Sequence, residues 1–168
     1  GRLVELGSSG QPIGTVPSVV DGSSGTPELV WMLPGITAPG AVRTVVLMSG
    51  EREDGVDQSD LAVEEDGTSI TIRNSYFQLR HPLKGRGGLP QDITFQLSGL
   101  KDDKLYLLDR LYHRETRRQP IAGSDGGATA KVVFSSPLRV VVEARFRYLH
   151  GGAPCEGNPR AVYRFVYS

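Results

Sequence analysis

The chain has 168 residues, and its 19 Lys and Arg residues balance its 19 Asp and Glu residues, so its formal net charge is zero. That balance argues against nucleic acid as a main partner, because phosphate binding normally requires a basic excess. The one cysteine, Cys155, excludes an internal disulfide and a zinc site built from cysteines, and no apolar run approaches the length of a membrane span, so we expect no membrane partner.

Apolar and polar residues alternate with a period of two along much of the chain, which is the pattern of half-buried β-strands. The N-terminal part predicts three short strands, RLVEL (2–6), ELVWML (28–33) and VRTVVLMS (42–49). An acidic segment, EREDGVDQSD (51–60), follows them. The best helical candidate spans 56–65, but it is short and polar, so we expect a loop or a single turn there.

Longer strands are predicted in the rest of the chain. They are SITI (69–72), YFQLRH (76–81), DITFQLSG (92–99), KLYLLDRLYH (104–113), AKVVFS (130–135), LRVVVEARFRYLH (138–150) and AVYRFVY (161–167). Within 92–99, the alternation points Ile93, Phe95 and Leu97 inward. Glycine-, proline- and aspartate-rich turns separate the strands. We therefore predict an all-β fold, an antiparallel β-sandwich or sandwich-like barrel of roughly nine or more strands with little helix.

The length fits a single β domain over residues 1–168. A subdivision is also open, with a small N-terminal lobe (1–50), a linker (51–60) and a main sandwich (61–168). Because the chain starts at Gly1 rather than at Met, we expect a processed or trimmed product, and the missing signal peptide then says little about its location.

The strand 138–150 has the clearest alternation. Its apolar face is predicted to hold Leu138, Val140, Val142, Ala144, Phe146 and Tyr148, and its polar face Arg139, Glu143, Arg145 and Arg147. Such a polar row is either a solvated face with cross-strand ion pairs or, if aromatic rings of a neighbouring strand lie beside it, a sugar-binding platform. The rings of Tyr163, Phe165 and Tyr167 share one face of the last strand, which is either that platform or the core.

The loop HPLKGRGGLPQD (81–92) joins two predicted strands and is rich in glycine and cations. It is either a cradle for an acidic group, with Lys84 and Arg86 as the charges and glycine amides as donors, or a long hairpin loop whose glycines supply positive φ angles.

The segment DRLYHRETRRQP (109–120) changes from apolar to polar on both faces as it runs forward. We expect burial to end at Asp109 and Arg110, where carboxylate–guanidinium pairs are common. If the segment forms a groove for an acidic ligand, Arg110 and Arg114 are its cations. Asp109 and Glu115 share a face but lie about 20 Å apart along a strand, too far for the carboxyl pair of a glycoside hydrolase.

No familiar catalytic motif is present, including the nucleophile elbow, the P-loop, the dinucleotide fingerprint and the HExxH helix. His81, His113 and His150 are far apart, so only the fold can bring them together at a metal. A histidine at a strand end is more often a hydrogen-bonded surface residue. We predict no metal and no cofactor.

Five stretches together resemble a known family. They are NSYFQLRHP (74–82), GGLPQDITFQLSG (87–99), DRLYHRE (109–115), SSPLRVVVEARFRYLHGG (135–152) and PRAVYRFVYS (159–168). They resemble the β-rich region of bacterial exo-rhamnogalacturonan lyase-like proteins over about residues 70–168, with a weaker match at LVWMLPGITAPGAVRTVVL (29–47). Such proteins are multidomain and carbohydrate-active, with an N-terminal β-barrel, a β-sandwich region and an α/α-barrel part. This chain lacks the helical repeat of that barrel, so the resemblance implies a β module or fragment of a larger secreted protein, extracellular or periplasmic.

Three functions remain open. The first is a non-catalytic β module that binds an acidic oligo- or polysaccharide or supports other domains of a larger protein, and its expected ligand-binding residues are Arg110, Arg114, Lys84, Arg86, Arg145 and Arg147. The second is part of a lyase site for β-elimination on a uronate, in which His113 or Tyr112 removes the proton and arginines neutralise the carboxylate. The third is a scaffold domain with no glycan role.

Overall fold

A computed structural model describes residues 1–50, 59–102, 109–111 and 118–168. These residues form fifteen β-strands in several antiparallel sheets, with short 3-10 turns at Arg86–Gly88 and Ala122–Ser124. The prediction of an all-β fold is confirmed, and the arrangement is sandwich-like rather than a closed barrel. No helix in the described part of the chain is a candidate for spanning a lipid bilayer.

The chain divides into two compact units. The first comprises Gly1–Ser59 and Ser136–Leu138, and the second Asp60–Ser135 and Arg139–Ser168. The main boundary lies inside the segment predicted as a linker, of which residues 51–58 lie outside the described residues.

The first unit contains one three-stranded sheet and one hairpin. Its strands are β1 (Arg2–Leu6), β2 (Pro12–Val16), β3 (Ser18–Asp21), β4 (Glu28–Trp31) and β5 (Thr44–Met48). The sheet has the order β2-β1-β5, and β3 pairs with β4. Leu3 and Val4 of β1 are both buried, as is Val16 of β2, which pairs with Leu3. The guanidinium of Arg43 binds both carboxylate oxygens of Glu5, at 2.6 and 2.5 Å.

The second unit contains the longer strands. They are β6 (Ala62–Glu65), β7 (Ser69–Arg73), β8 (Phe77–Pro82), β9 (Gln91–Phe95), β10 (Lys101–Asp102), β11 (Thr129–Ser136), β12 (Arg139–Arg147), β13 (Leu149–His150), β14 (Ala153–Pro154) and β15 (Arg160–Tyr167). They form a five-stranded sheet in the order β10-β9-β8-β7-β6, a three-stranded sheet in the order β11-β12-β15, and the small pair β13-β14.

The apolar faces of the two larger sheets form a common core. Ile70, Ile72 and Leu79 of the five-stranded sheet pack with Val140 and Val142 of the three-stranded sheet. A second cluster centres on Ala144, Phe146 and Tyr148 and includes the rings of Tyr163 and Phe165. The even-numbered residues of β12 therefore face inward, as the alternation predicts.

Two predictions for individual strands are wrong. The strand predicted over 92–99 ends at Phe95, which is 48% exposed, and Leu97 is 83% exposed instead of inward. Its chain turns there, because the Gly99 amide donates to the Phe95 carbonyl at 2.8 Å. The region 56–65 was expected to be a loop or a turn, but Ala62–Glu65 is a strand that pairs with β7.

The strand predicted over 104–113 lies mostly outside the described residues. Its described part, Asp109–Leu111, forms an isolated bridge between Arg110 and Ile121, and Ile121 in turn bridges to Leu149.

Candidate functional site

Two neighbouring strands of the three-stranded sheet, the central β12 and the edge strand β15, carry a row of charges. β12 and β15 pair antiparallel with Glu143 opposite Arg164, Arg145 opposite Val162 and Arg147 opposite Arg160. Because side chains alternate across a strand, these residues share the face opposite the core. We call this the charged face, and we call the other side, which carries Val140, Val142, Ala144, Phe146, Tyr163, Phe165 and Tyr167, the core face.

A depression of about 360 Å³ lies at one end of the charged face. It is lined by Asp125, Gly127, Thr129, Arg145, Phe146, Arg147, Arg160, Ala161 and Val162, and we call it the cationic depression. Three of its lining residues are arginines and one is an acid, so it offers an excess of positive charge to a ligand.

The acid of the cationic depression is held inside the protein. Asp125 is only 2% exposed, and it accepts hydrogen bonds from the backbone amides of Gly127 at 2.9 Å and Arg147 at 2.8 Å. The Arg147 Nη2 lies 3.2 Å from its Oδ1. Burial opposes ionisation of Asp125, but the hydrogen bonds from Arg147 and Gly127 outweigh it, so its pKa is lowered from the ordinary value.

The middle of the charged face is organised around Glu143. Its carboxylate accepts a hydrogen bond from Arg145 Nε at 2.9 Å, and Lys131 Nζ and Arg164 Nε lie 3.9 and 3.7 Å from it. The hydrogen bond from Arg145 lowers the pKa of Glu143, with smaller contributions from the charges of Lys131 and Arg164. We call these four residues the Glu143 cluster.

Cationic side chains outnumber carboxylates on the charged face. Among the described residues, the Glu143 cluster and the cationic depression together contain five cations, Lys131, Arg145, Arg147, Arg160 and Arg164, against the two carboxylates of Asp125 and Glu143, which leaves three positive charges in excess. Within the described residues, no carboxylate lies at ion-pair distance from Arg160, although Arg147 is directly opposite it. Like charges opposite each other destabilise a sheet, so this end of the face is suited to an added anion.

Of the predicted binding residues, the structure brings two together at this site. Arg145 and Arg147 line the cationic depression. Lys84 and Arg86 do not, although the backbone of Lys84 bridges to Thr129 at its edge. Arg110 lies elsewhere and donates to the Gln119 side chain at 3.1 Å. Arg114, and the predicted catalytic residues Tyr112 and His113, lie outside the described residues.

The glycines of the 81–92 loop serve the fold. The Gly85 amide donates to the Ala128 carbonyl and the Gly88 amide to the Gly85 carbonyl, at 2.9 and 2.8 Å, so neither is open to a ligand. Gly88 has φ 64°, and a Cβ there would lie 2.9 Å from the Thr129 carbonyl oxygen. Of the two interpretations of this loop, the geometry favours the hairpin loop whose glycines supply positive φ.

The described part of the 109–120 segment is tied to the core through Asp109. The Tyr148 hydroxyl lies 3.2 Å from both Asp109 carboxylate oxygens and 2.9 Å from the Tyr163 hydroxyl. Burial, together with the hydrogen bond to Tyr163 and the charge of Asp109, raises the pKa of Tyr148. Asp109 therefore has a tyrosine as its partner in the described contacts, where the sequence suggested an arginine.

His81 is fully buried, whereas a surface position was expected for a strand-end histidine. Its Nδ1 lies 2.8 Å from the Gly88 carbonyl oxygen, which fixes Nδ1 as the donor, and its Nε2 lies 2.5 Å from the Tyr167 hydroxyl. Burial lowers its pKa to about 4, against a smaller opposing effect of the Gly88 hydrogen bond. Both ring nitrogens are thus occupied, and the described residues include no group of three metal-binding side chains.

The aromatic platform proposed for the last strand is not on the charged face. Tyr163 and Phe165 pack in the second core cluster and Tyr167 against the first. Their rings contact Phe146, His81 and Phe77 at centroid distances of 5.0 to 6.1 Å. The interpretation of these residues as core is therefore the right one.

The sequence prediction missed Arg160 and Asp125. The last predicted strand began at residue 161, one residue after Arg160, although extending the alternation by one position would have placed Arg160 on the polar face. Asp125 lies in GSDGG (123–127), which has the composition of a turn, and no local pattern links it to Arg147, 22 residues later.

No family model matches the chain, and neither a curated protein nor a solved structure is similar to it at a significant level.

Proposed function

We propose that this chain is a non-catalytic β-sandwich module that binds an acidic polysaccharide through the cationic depression. The observation that carries the proposal is the position of Arg160 directly opposite Arg147: Arg147 pairs with Asp125, whereas no carboxylate among the described residues lies at ion-pair distance from Arg160. Guanidinium groups bind carboxylates through planar, charge-assisted pairs of hydrogen bonds, so an added anion would relieve the repulsion between them.

The glycan context rests on the resemblance to the β-rich region of exo-rhamnogalacturonan lyase-like proteins, whose substrates carry uronates. Arg145 and Arg147 belong to one of the stretches that carry the resemblance, SSPLRVVVEARFRYLHGG, and Arg160 to another, PRAVYRFVYS. A module of this kind would hold an acidic chain near other domains of a larger secreted glycan-degrading protein.

Binding is a better proposal than catalysis at this site. Elimination on a uronate needs a base of near-neutral pKa close to the proton that it removes. Among the described residues, the acid that lines the cationic depression is Asp125, which is buried and hydrogen-bonded and whose pKa is lowered. The lyase alternative depends on Tyr112 and His113, which lie outside the described residues, so it stays a prediction.

The test is calorimetric titration with polygalacturonate and, separately, with uncharged dextran. We expect polygalacturonate to bind, dextran not to bind, and Arg160→Ala to weaken binding about tenfold, roughly 1.4 kcal/mol. Added salt should weaken binding as well, because exposed charges are screened beyond about 10 Å at 0.1 M salt.

The matched control is Arg80→Ala, which removes an exposed arginine from the five-stranded sheet, where it pairs with Asp92. Equal losses for Arg80→Ala and Arg160→Ala would contradict a specific site. A rise in ultraviolet absorbance from unsaturated uronate product would replace the binding proposal with the lyase alternative. Absence of both binding and product would leave the scaffold function.

A further inference from the structure

The cationic depression distributes its hydrogen-bond donors unequally. Arg145 directs Nε and Nη2 to Glu143, each at 2.9 Å, so its charge is largely engaged by the Glu143 cluster. Arg147 directs Nη2 and, at 3.5 Å, Nε to Asp125, and Arg160 has no carboxylate partner within the described residues. The donors left for a ligand therefore belong mainly to Arg147 and Arg160.

Asp125 fixes the direction of Arg147. One of its oxygens, Oδ2, accepts from the Arg147 backbone amide at 2.8 Å, and the other, Oδ1, accepts from Nη2 at 3.2 Å. The Asp125 carboxylate thus binds both the backbone amide and the guanidinium of Arg147. The Gly127 amide donates a further hydrogen bond to this carboxylate at 2.9 Å. Arg147 Nη1 makes no hydrogen bond in the described part of the chain and is left for a ligand.

We propose that Arg147 and Arg160 form a clamp for one singly charged oxyanion on a sugar, a carboxylate or a sulfate ester, and that Asp125 is the positioning residue that sets Arg147 for it. This inference rests on the proposed function and specifies the ligand group that the cationic depression takes. The two arginines are directly opposite on neighbouring strands, where Cβ atoms lie about 5 Å apart, so the Nη1 side of Arg147, which faces away from Asp125, and the guanidinium of Arg160 can reach one anion.

Charge matching favours a monoanion. Arg147 and Arg160 with Asp125 carry one net positive charge, which a carboxylate or a sulfate ester neutralises. A phosphate monoester carries close to two negative charges at pH 7, and the second charge would lie near the buried Asp125 carboxylate. The described residues that line the cationic depression include the apolar Val162, which is 54% exposed, but no exposed aromatic ring. An uncharged sugar therefore has no ring to stack on there.

Four sugars that differ only at carbon 6 test the clamp: galacturonate, galactose 6-sulfate, galactose 6-phosphate and galactose. Their binding is followed by the NMR signals of the arginine Nε–H groups. We expect galacturonate, galactose 6-sulfate or both to shift the Arg147 and Arg160 signals, and whichever binds identifies the anion. Galactose 6-phosphate should bind at least threefold more weakly, and galactose should give no shift.

Asp125→Asn removes the negative charge and one strong acceptor. The affinity for galacturonate should fall because Arg147 is no longer fixed, and the affinity for galactose 6-phosphate should rise because the net charge of the site increases. A merely structural role for Asp125 would lower both affinities by the same factor. If this variant does not fold, Arg147→Lys keeps the charge and the backbone bond to Asp125 but lacks the planar fork, and it should lose galacturonate binding about tenfold.

Equal binding of galacturonate and galactose 6-phosphate would overturn the clamp, as would unshifted Arg147 and Arg160 signals with all four sugars. Either result with polygalacturonate still bound would leave the proposed function intact. If polygalacturonate itself does not bind, the proposed function fails and the clamp with it.

Discussion

The two faces of the sheet formed by β12 and β15 arise from the same alternation of side chains but differ in how their polar groups are paired. At the core face, polar atoms find partners inside the protein: His81 of the facing strand β8 has Gly88 and Tyr167, and the Tyr163 hydroxyl has Tyr148. On the charged face, Lys131, Arg145, Arg147 and Arg164 pair with the carboxylates of Glu143 and Asp125, whereas Arg160 has no carboxylate partner among the described residues. Buried polar groups that are hydrogen-bonded within the protein contribute to its stability. An excess of one sign of charge on a face instead indicates a binding site for a ligand of the opposite charge.

We expect changes on the core side to alter the free energy of unfolding, and changes on the charged face to alter binding with little effect on stability. The first test is Gly88→Ala. A Cβ at Gly88 would lie 2.9 Å from the Thr129 carbonyl oxygen and 3.2 Å from the Ala144 Cβ, at φ 64°. We expect a loss of about 3 kcal/mol in unfolding free energy, from steric overlap and from the left-handed backbone, measured by urea denaturation.

Gly85→Ala is the matched control in the same loop. Its φ is 77°, but its Cβ would meet nothing closer than 3.8 Å, so only the backbone contribution of about 1 kcal/mol applies. Equal losses for the two variants would mean that Gly88 is required for its conformation and not for close packing against the core face.

The second test is the pH dependence of stability from His81. Its pKa is about 4 in the folded protein, against an ordinary value of 6.5 that applies to the unfolded chain, so the unfolded chain binds the proton first as the pH falls. The contribution of neutral His81 is complete above pH 6.5 and is lost as the pH falls toward 4, in total about 3 kcal/mol. Urea denaturation at several pH values should show a slope of roughly 1.4 kcal/mol per pH unit between about pH 6 and 4.5.

His150→Gln removes an exposed histidine and should retain that slope. A flat profile between about pH 6 and 4.5 would mean that His81 accepts a proton in the folded state without loss. Below about pH 4.5, carboxylates such as Glu143 and Asp125, whose pKa values are lowered, add to the loss of stability as they become protonated.

The third and smallest effect is expected on the charged face. Glu143→Gln leaves Lys131, Arg145 and Arg164 without their shared carboxylate, and should lower the unfolding free energy by about 1 kcal/mol or less, because the three cations are partly exposed. The net charge of the face rises by one, so binding of polygalacturonate should become tighter and more dependent on salt.

Lys131→Gln provides the opposite change on the same cluster. It lowers the charge by one and should weaken polygalacturonate binding while leaving stability nearly unchanged. If Glu143→Gln costs as much stability as Gly88→Ala, the charged face is structural and the distinction between the two faces fails.

The sequence alone predicted the parts of the fold that depend on local alternation. β1 and β12 follow directly from their apolar period, and Arg145 and Arg147 were identified because they share one face of a long strand. Strands β2 and β3 were not predicted. Residues 12–16 contain proline and glycine and show no clear alternation of apolar and polar residues, and β3 has only four residues.

The missing parts of the candidate site depend on contacts between distant residues. Arg160 becomes informative only when the register of β15 places it opposite Arg147. Asp125 becomes a partner only when its turn folds back on β12, and Leu97 is exposed because the strand ends two residues before it. The periodicity of a strand indicates which face each residue occupies. The pairing of strands and the positions at which they end depend on the whole fold.

The hydrogen bond between His81 and Tyr167 has a consequence for how the chain is made. Its two residues are 86 positions apart, and the second belongs to the last strand. During synthesis on the ribosome, the turn at Arg86–Gly88 can form and His81 can reach the Gly88 carbonyl, but the imidazole stays without its hydroxyl partner until residue 167 has emerged. Completion of the second unit therefore waits for β15, and until then the β7–β8 hairpin exposes a histidine that β15 covers in the folded unit.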